Sequence, residues 1–230
     1  MTSRRNDVAA RVSLPGSPRA PRRLPLPTAR PTGRRPREEV QRAALEATLD
    51  LVDNPSIGYR GLTMEAVARR AGISKATLYR WWPSKAHLLC EAYVAKANRD
   101  IPLPGTGDLG EDLREYLHHI AFALGHLGTG RTIAEVILAA NVDPAFGDLY
   151  RHTLLADRKR SLRHLLERAR AAGQLRADAD LEVVVDMAYG ALHHRLVVSH
   201  EPIDGPYVAG LATLLARALV PLPGDQRGDA

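Results

Sequence analysis

Lys75, Thr77, Tyr79 and Arg80 fall inside one short stretch and bring together two cations, a hydroxyl and a phenol. Such groups donate hydrogen bonds to phosphate oxygens, and Lys or Arg also reads guanine edges. The chemistry they offer is recognition of a polyanion. Catalysis is not on offer, because no acid/base pair stands out in the chain. Gly105 and Gly107, like Gly128 and Gly130, do not make phosphate loops, since no strand precedes them and no Gly-Lys-Ser/Thr follows. His118, His119, His126, His152, His164, His193 and His194 lack an acidic cluster at ligand-like spacing, so neither a metal nor a cofactor is expected. Cys90 is the sole cysteine, which excludes an intramolecular disulfide.

A pair of short helices must hold those donors. Thr63 is a good N-cap, and Leu62 before it can staple onto Val67. Met64, Val67, Ala68 and Ala71 then recur at helical spacing. Gly72 supplies the left-handed stop. Ser74 caps a second helix at once, Ile73 and Leu78 repeat the staple, and Pro83 ends it. Ser84 caps a third. Two capped helices across so short a turn must cross steeply, which is helix-turn-helix geometry. The second, about 74–82, is the one that enters a DNA major groove. Leu78 faces inward, leaving Lys75, Ala76, Thr77, Tyr79 and Arg80 around the outward arc with Ser74 at its mouth. Arg60, just upstream, is placed to reach a phosphate. Behind the pair, a helix from Arg37 to Asp53 presents Val40, Ala44, Ala47, Thr48 and Leu51 on one face.

The run from Thr63 through Val67-Ala68, Ala71 to Leu78, and Tyr79 to Lys85 resembles the N-terminal domain of TetR/AcrR-family transcriptional regulators, a likeness covering about 37–94. The resemblance implies that Thr63, Tyr79, Trp82 and Lys85 clamp backbone phosphates. The pair Trp81-Trp82 departs from the more usual tyrosine or other aromatic and histidine at that place, which removes a charge-dependent contact. Trp81 is expected in the core and Trp82 at phosphate.

Charge divides along the chain. Residues 1–100 carry 19 Lys/Arg against 9 Asp/Glu, and residues 101–230 carry 13 against 17, within an overall +6. A basic first part on an acidic remainder fits one domain that meets a polyanion and one that does not. Low aromatic content, 5%, with abundant Ala, Leu and Arg favours an all-α protein. No apolar run approaches the roughly 20 residues of a membrane span. The first residues hold arginines without an apolar core behind them, so a secretory signal is not expected and the cytoplasm is.

Residues 1–36 form a Pro/Arg-rich arm that cannot bury enough apolar surface to fold. Arg34 and Arg35, just before the first helix, are placed to lie in the minor groove, the alternative being a solvated leader held near DNA by charge alone. The expected organisation continues with a helix-turn-helix domain over 37–83, a connecting helix over 84–100, a helical domain over 101–223 and a tail over 224–230. In that helical domain a helix begins near Asp108, Gly128 and Gly130 interrupt, and a short helix follows. Asp143-Pro144 starts a long helix that Gly173 stops, Asp180 caps the next, and Pro206 opens the last. The segment 183–190 is apolar nearly all round and the last helix is apolar on more than one face. Helices of that kind want two partners.

The resemblance implies dimerisation through the last two long helices, with Val184, Met187, Leu192, Leu196, Leu211 and Leu215 at the interface. It also implies a small-molecule cavity, lined by Tyr116, Ile120, Leu124, Ile137, Phe146 and Tyr150, for an apolar or amphipathic effector. The expected protein is a homodimeric repressor on a near-palindromic double-stranded operator, released by that effector. The alternatives are a DNA binder of this fold without an effector, an activator, and, more remotely, an enzyme on a helical scaffold.

Overall fold

Side-chain caps set the order of the elements. The computed structural model describes residues 36–125 and 129–221, and every regular element among them is helical. The arm with Arg34 and Arg35, His126, and the tail lie outside the described residues. α1 (Arg37–Val52) and a one-turn α2 (Gly58–Gly61) precede α3 (Met64–Ala71), α4 (Lys75–Trp81) and α5 (Lys85–Asp100). Thr63, Ser74 and Ser84 cap α3, α4 and α5, each accepting the amide three residues on. Gly72 sits at φ 67°, the left-handed conformation that lets α3 stop and α4 begin three residues later.

Next come α6 (Leu109–Gly125), α7 (Thr129–Val142) and α8 (Pro144–Tyr150). Asp143 caps α8 by accepting the amides of Ala145 and Phe146, with Pro144 at the first position. The helical path does not break at Tyr150. A π-helical stretch, Arg151–Leu155, carries it into α9 (Ala156–Ala171). α10 (Leu181–His193), capped by Asp180, runs likewise into a second π-helical stretch, His194–Ser199. α11 (Gly205–Leu219) closes the described chain, capped by Asp204.

The expectation for α7 needs correcting. Gly130 does not interrupt anything: it lies in the first turn of α7, a 14-residue helix rather than a short one. Residues 58–61, with Arg60 among them, form the helical turn α2 just before Thr63.

The core has two parts. One is built from α6, α9, α10 and α11, with Leu113, Leu117, Leu162, Leu166, Val185 and Ala212 sealed inside. The other packs α1, α3, α4 and α5 through Ala44, Val52, Val67, Leu78, Leu88 and Leu89. Val136 and Ala140 of α7 and Phe146 and Tyr150 of α8 belong to this second cluster. The short helices around Gly72 are thus cored together with α7 and α8. None of the described helices is long and apolar enough to cross a membrane.

Candidate nucleic-acid interface

Local sequence dictates how α4 presents itself. Ser74 Oγ accepts the Thr77 amide at 3.1 Å and shares a hydrogen bond with Thr77 Oγ1 at 2.8 Å. That pins the first turn. Leu78 is fully buried, so the helix cannot roll, and Lys75, Ala76, Tyr79 and Arg80 are exposed with Thr77 half-buried at the flank. Thr63 and Arg60 are exposed beside it, and Arg69 adds a further cation on α3. Lys75 Nζ pairs with Glu65 of α3, a partner the spacing within α4 alone does not reveal. Each strengthens the other's charged state: the hydrogen bond holds Glu65 below and Lys75 above its ordinary value. Both side chains are solvated, so a phosphate can replace Glu65 at small cost.

Two expected phosphate clamps are occupied inside the protein. Trp82 is 2% exposed and its Nε1–H donates to Glu91 Oε2 at 2.7 Å, so it belongs to the core. Trp81, expected inside, is the half-buried one, edge-on to Trp82 at 5.6 Å with the Arg37 guanidinium 5.9 Å from its ring. The reversal has a simple cause. Trp82 lies four residues after Leu78, on the buried face, where the C-cap turns extended.

Lys85 is the second case. Its ammonium donates to the carbonyls of Tyr59, Arg60 and Leu62 at 3.1, 3.4 and 3.2 Å, 4.6 Å from the centre of the Tyr59 ring. Three donors meet three acceptors, so Lys85 fixes the path from α2 into α3. Burial pulls its pKa below the ordinary lysine value.

The turn that Lys85 anchors is also held from the other side. Glu135 Oε2 of α7 accepts the Tyr59 amide at 3.0 Å. Gly58, at φ 59°, makes room for it: a Cβ there would lie 2.8 Å from that oxygen. Thr132 Oγ1 donates to the Val52 carbonyl at 2.9 Å and Thr129 Oγ1 to Asp53 Oδ2 at 3.2 Å. Arg131 reaches the Asn54 and Pro55 carbonyls. Nothing in the sequence motifs marks these α7 residues, because their partners are more than 70 positions away.

α7 also borders a cavity of about 100 Å³, through Thr129 and Ile133. Of the expected lining, Ile120, Leu124 and Tyr150 are there. Tyr116, Ile137 and Phe146 are not. Tyr116 is sealed in the core with its hydroxyl 3.0 Å from that of Tyr189. Phe146 stacks on Tyr59 at 5.2 Å, and Ile137 packs into the same cluster. Leu192 and Leu196, expected between protomers, line the cavity instead.

The rest of the expected interface divides likewise. Val184 and Leu215 are buried in the chain's own core, as Leu192 is. Leu196 and Leu211 are half-buried. Of the six only Met187 is openly exposed, at 54%; Val183, one turn earlier on α10, and Leu214 on α11 are exposed as well, at 54% and 68%.

Comparison with known proteins gives this geometry its context. Residues 56–92 match the family described as bacterial regulatory proteins, tetR family, and residues 103–215 match the tetracyclin repressor-like C-terminal domain. An uncharacterized HTH-type transcriptional regulator, YdeS of Bacillus subtilis, is 32% identical over 179 residues, 77% of this chain and 88% of that protein. This chain belongs to the TetR family. The regulator is also 30% identical over 160 residues to the DNA-binding transcriptional repressor TetR of Mycobacteroides abscessus, covering 67% of this chain and 80% of that protein. Its fold overlays the crystal structure of the TetR family transcription regulator SCO0332 with a TM-score of 0.71 at 37% identity, over 80% of this chain and 100% of that one. The TetR-family regulator is thus an all-α, helix-turn-helix DNA-binding transcriptional regulator and not an enzyme.

Proposed function

We propose that this TetR-family regulator is a cytoplasmic homodimeric repressor whose two α4 helices enter successive major grooves of a near-palindromic operator. Arg80 and Lys75 reach bases or phosphates, and Tyr79, Thr77, Ser74, Ala76, Thr63 and Arg60 complete the contact surface. The exposed apolar residues Val183 and Met187 of α10 and Leu214 of α11 support pairing with a second copy. The repressor named among its relatives supports the sense of regulation.

A small molecule in the cavity would release the DNA. The observation that carries this part is α7, which touches both ends: Thr129 and Ile133 face the cavity, while Thr132, Arg131 and Glu135 grip the end of α1 and the α2 turn. A ligand that favours one position of α7 shifts the head by its differential affinity for the two states. Titration of a fluorescent operator duplex at physiological salt tests the DNA part. Lys75→Ala with Arg80→Ala lowers affinity at least about tenfold; unchanged binding overturns the assignment of α4.

A further inference from the structure

One cation on the cavity wall keeps donors without a partner among the described residues. The walls are mostly apolar, with Ile120, Leu124, Ile133, Leu154, Leu192 and Leu196 among them. One end is different. Arg158 lines it and is only 9% exposed. Its Nη2 donates to Asn98 Oδ1 at 2.5 Å and pairs with Asp157, but its Nε and Nη1 are buried with no acceptor among the described residues.

The neighbouring carboxylates are already engaged. Asp157 is shared with Arg160 at 3.3 Å, and Asp100 is held by Lys96 at 3.1 Å and Arg99 at 2.8 Å. Lys96 and Asp100 line the cavity at the end of α5, next to Asn98. His193, also on the wall, is kept neutral by burial, so it adds no charge. A guanidinium buried with unmet donors is costly to hold and persists where something uses it.

The backbone around the cavity is unusual too. Both π-helical stretches among the described residues border it: Arg151–Leu155 brings Leu154 and Leu155 to the wall, and His194–Ser199 brings Leu196. Single π turns of this kind cluster at functional sites and give a helix a place to shift register.

We propose that the cavity binds an apolar organic acid, its aryl or alkyl body among Ile120, Leu124, Ile133 and Leu196 and its carboxylate against the unmet donors of Arg158. The carboxylate supplies both the acceptors and the compensating charge, and charge-assisted pairing with Arg is the strongest available match. A cation would face Arg158 and Lys96 with no carboxylate to spare. A neutral carbonyl offers an acceptor without charge. The volume, about 100 Å³, is below the roughly 150 Å³ of a dry cavity that takes benzene. A short chain is therefore the right scale, and a ring or a longer body requires the π turns to yield.

This inference rests on the reading of the cavity as an effector site, and its test separates the two. Full-length protein without DNA is titrated calorimetrically with benzoate, phenylacetate and octanoate and with their primary amides. At least one acid binds about tenfold or more tightly than its own amide, as expected for one charge-assisted contact. Arg158→Met abolishes that preference, lowering the acid's affinity by at least about fivefold more than the amide's. If Arg158→Met does not fold, the wild-type ratio still decides, together with Leu124→Trp, which fills the apolar end and must abolish acid binding. Amides binding as well as acids, or no binding by any of the acids, overturns the inference. Acids that bind but leave the operator complex intact support this ligand class and overturn release as its consequence. Release of DNA by a neutral compound, with no acid bound, does the reverse.

Discussion

Glu135 is the residue whose removal tests the connection between cavity and reading head most sharply. Its carboxylate accepts the Tyr59 amide at 3.0 Å, and Arg131 lies 3.6 Å away on the same helix. A hydrogen bond to a charged acceptor contributes about 1.5–3 kcal/mol, and water can partly replace this one because the Glu135 side chain is 27% exposed. Glu135→Ala therefore destabilises by about 1–2 kcal/mol, and Glu135→Gln, which keeps a neutral acceptor, by about half of that. For a fold of this size, Glu135→Ala then lowers the melting temperature by about 2–8 °C. Operator affinity falls by about threefold to tenfold, because the α2 turn that the carboxylate holds is also the one anchored by Lys85 beside α3. Calorimetric melting and anisotropy titration of an operator duplex read the two effects. Both variants melting with the wild type and binding DNA equally would refute a role for α7 in placing the head.

Three further outcomes follow from the same structure. Trp82→Ala costs about 3–5 kcal/mol by opening a cavity and unpairing Glu91, whereas Trp81→Ala costs about 1 kcal/mol or less; denaturant titration of the two variants distinguishes the buried indole from the half-buried one. Met187→Glu and Leu214→Glu place charges at exposed apolar positions and convert a dimer to monomers with an intact helical spectrum, read by sedimentation, while Val184→Glu unfolds the chain instead. His193 is held below its ordinary value of 6.5 by burial, so the unfolded chain takes up its proton first. Its contribution to stability is complete above about pH 6.5 and declines as pH falls through that value; the melting temperature of His193→Gln therefore depends less on pH between about 7.5 and 5.5 than that of the wild type.

Capping logic is local, and local logic was legible. Thr63, Ser74, Ser84, Asp143 and Asp180 each satisfy amides within three residues of themselves, so the side-chain type and its place before an apolar run are enough. Trp81 and Trp82 were not resolved by resemblance, although the four-residue step from Leu78 pointed to Trp82 as the buried one. α10 is apolar on two faces, and periodicity cannot say which face meets the chain's own core: Val184 and Leu192 took that side, Val183 and Met187 the open one. Cavity walls are harder still, being what packing leaves over. Ile120 and Leu124 line the cavity while Tyr116, on the same column of α6, is sealed by its hydrogen bond to Tyr189. Arg158 and Glu135 carried no sequence signal at all, since their meaning depends on α5 and α2, each distant along the chain.

In the proposed function, α4 reads duplex DNA in two symmetric copies. Selection of bound sequences from a random duplex pool at physiological salt measures it directly. The expected result is a motif of two inverted half-sites spaced by about one or more turns of DNA, with enrichment lost in Lys75→Ala with Arg80→Ala. A pool that never enriches, or the same motif recovered by the double variant, would contradict it.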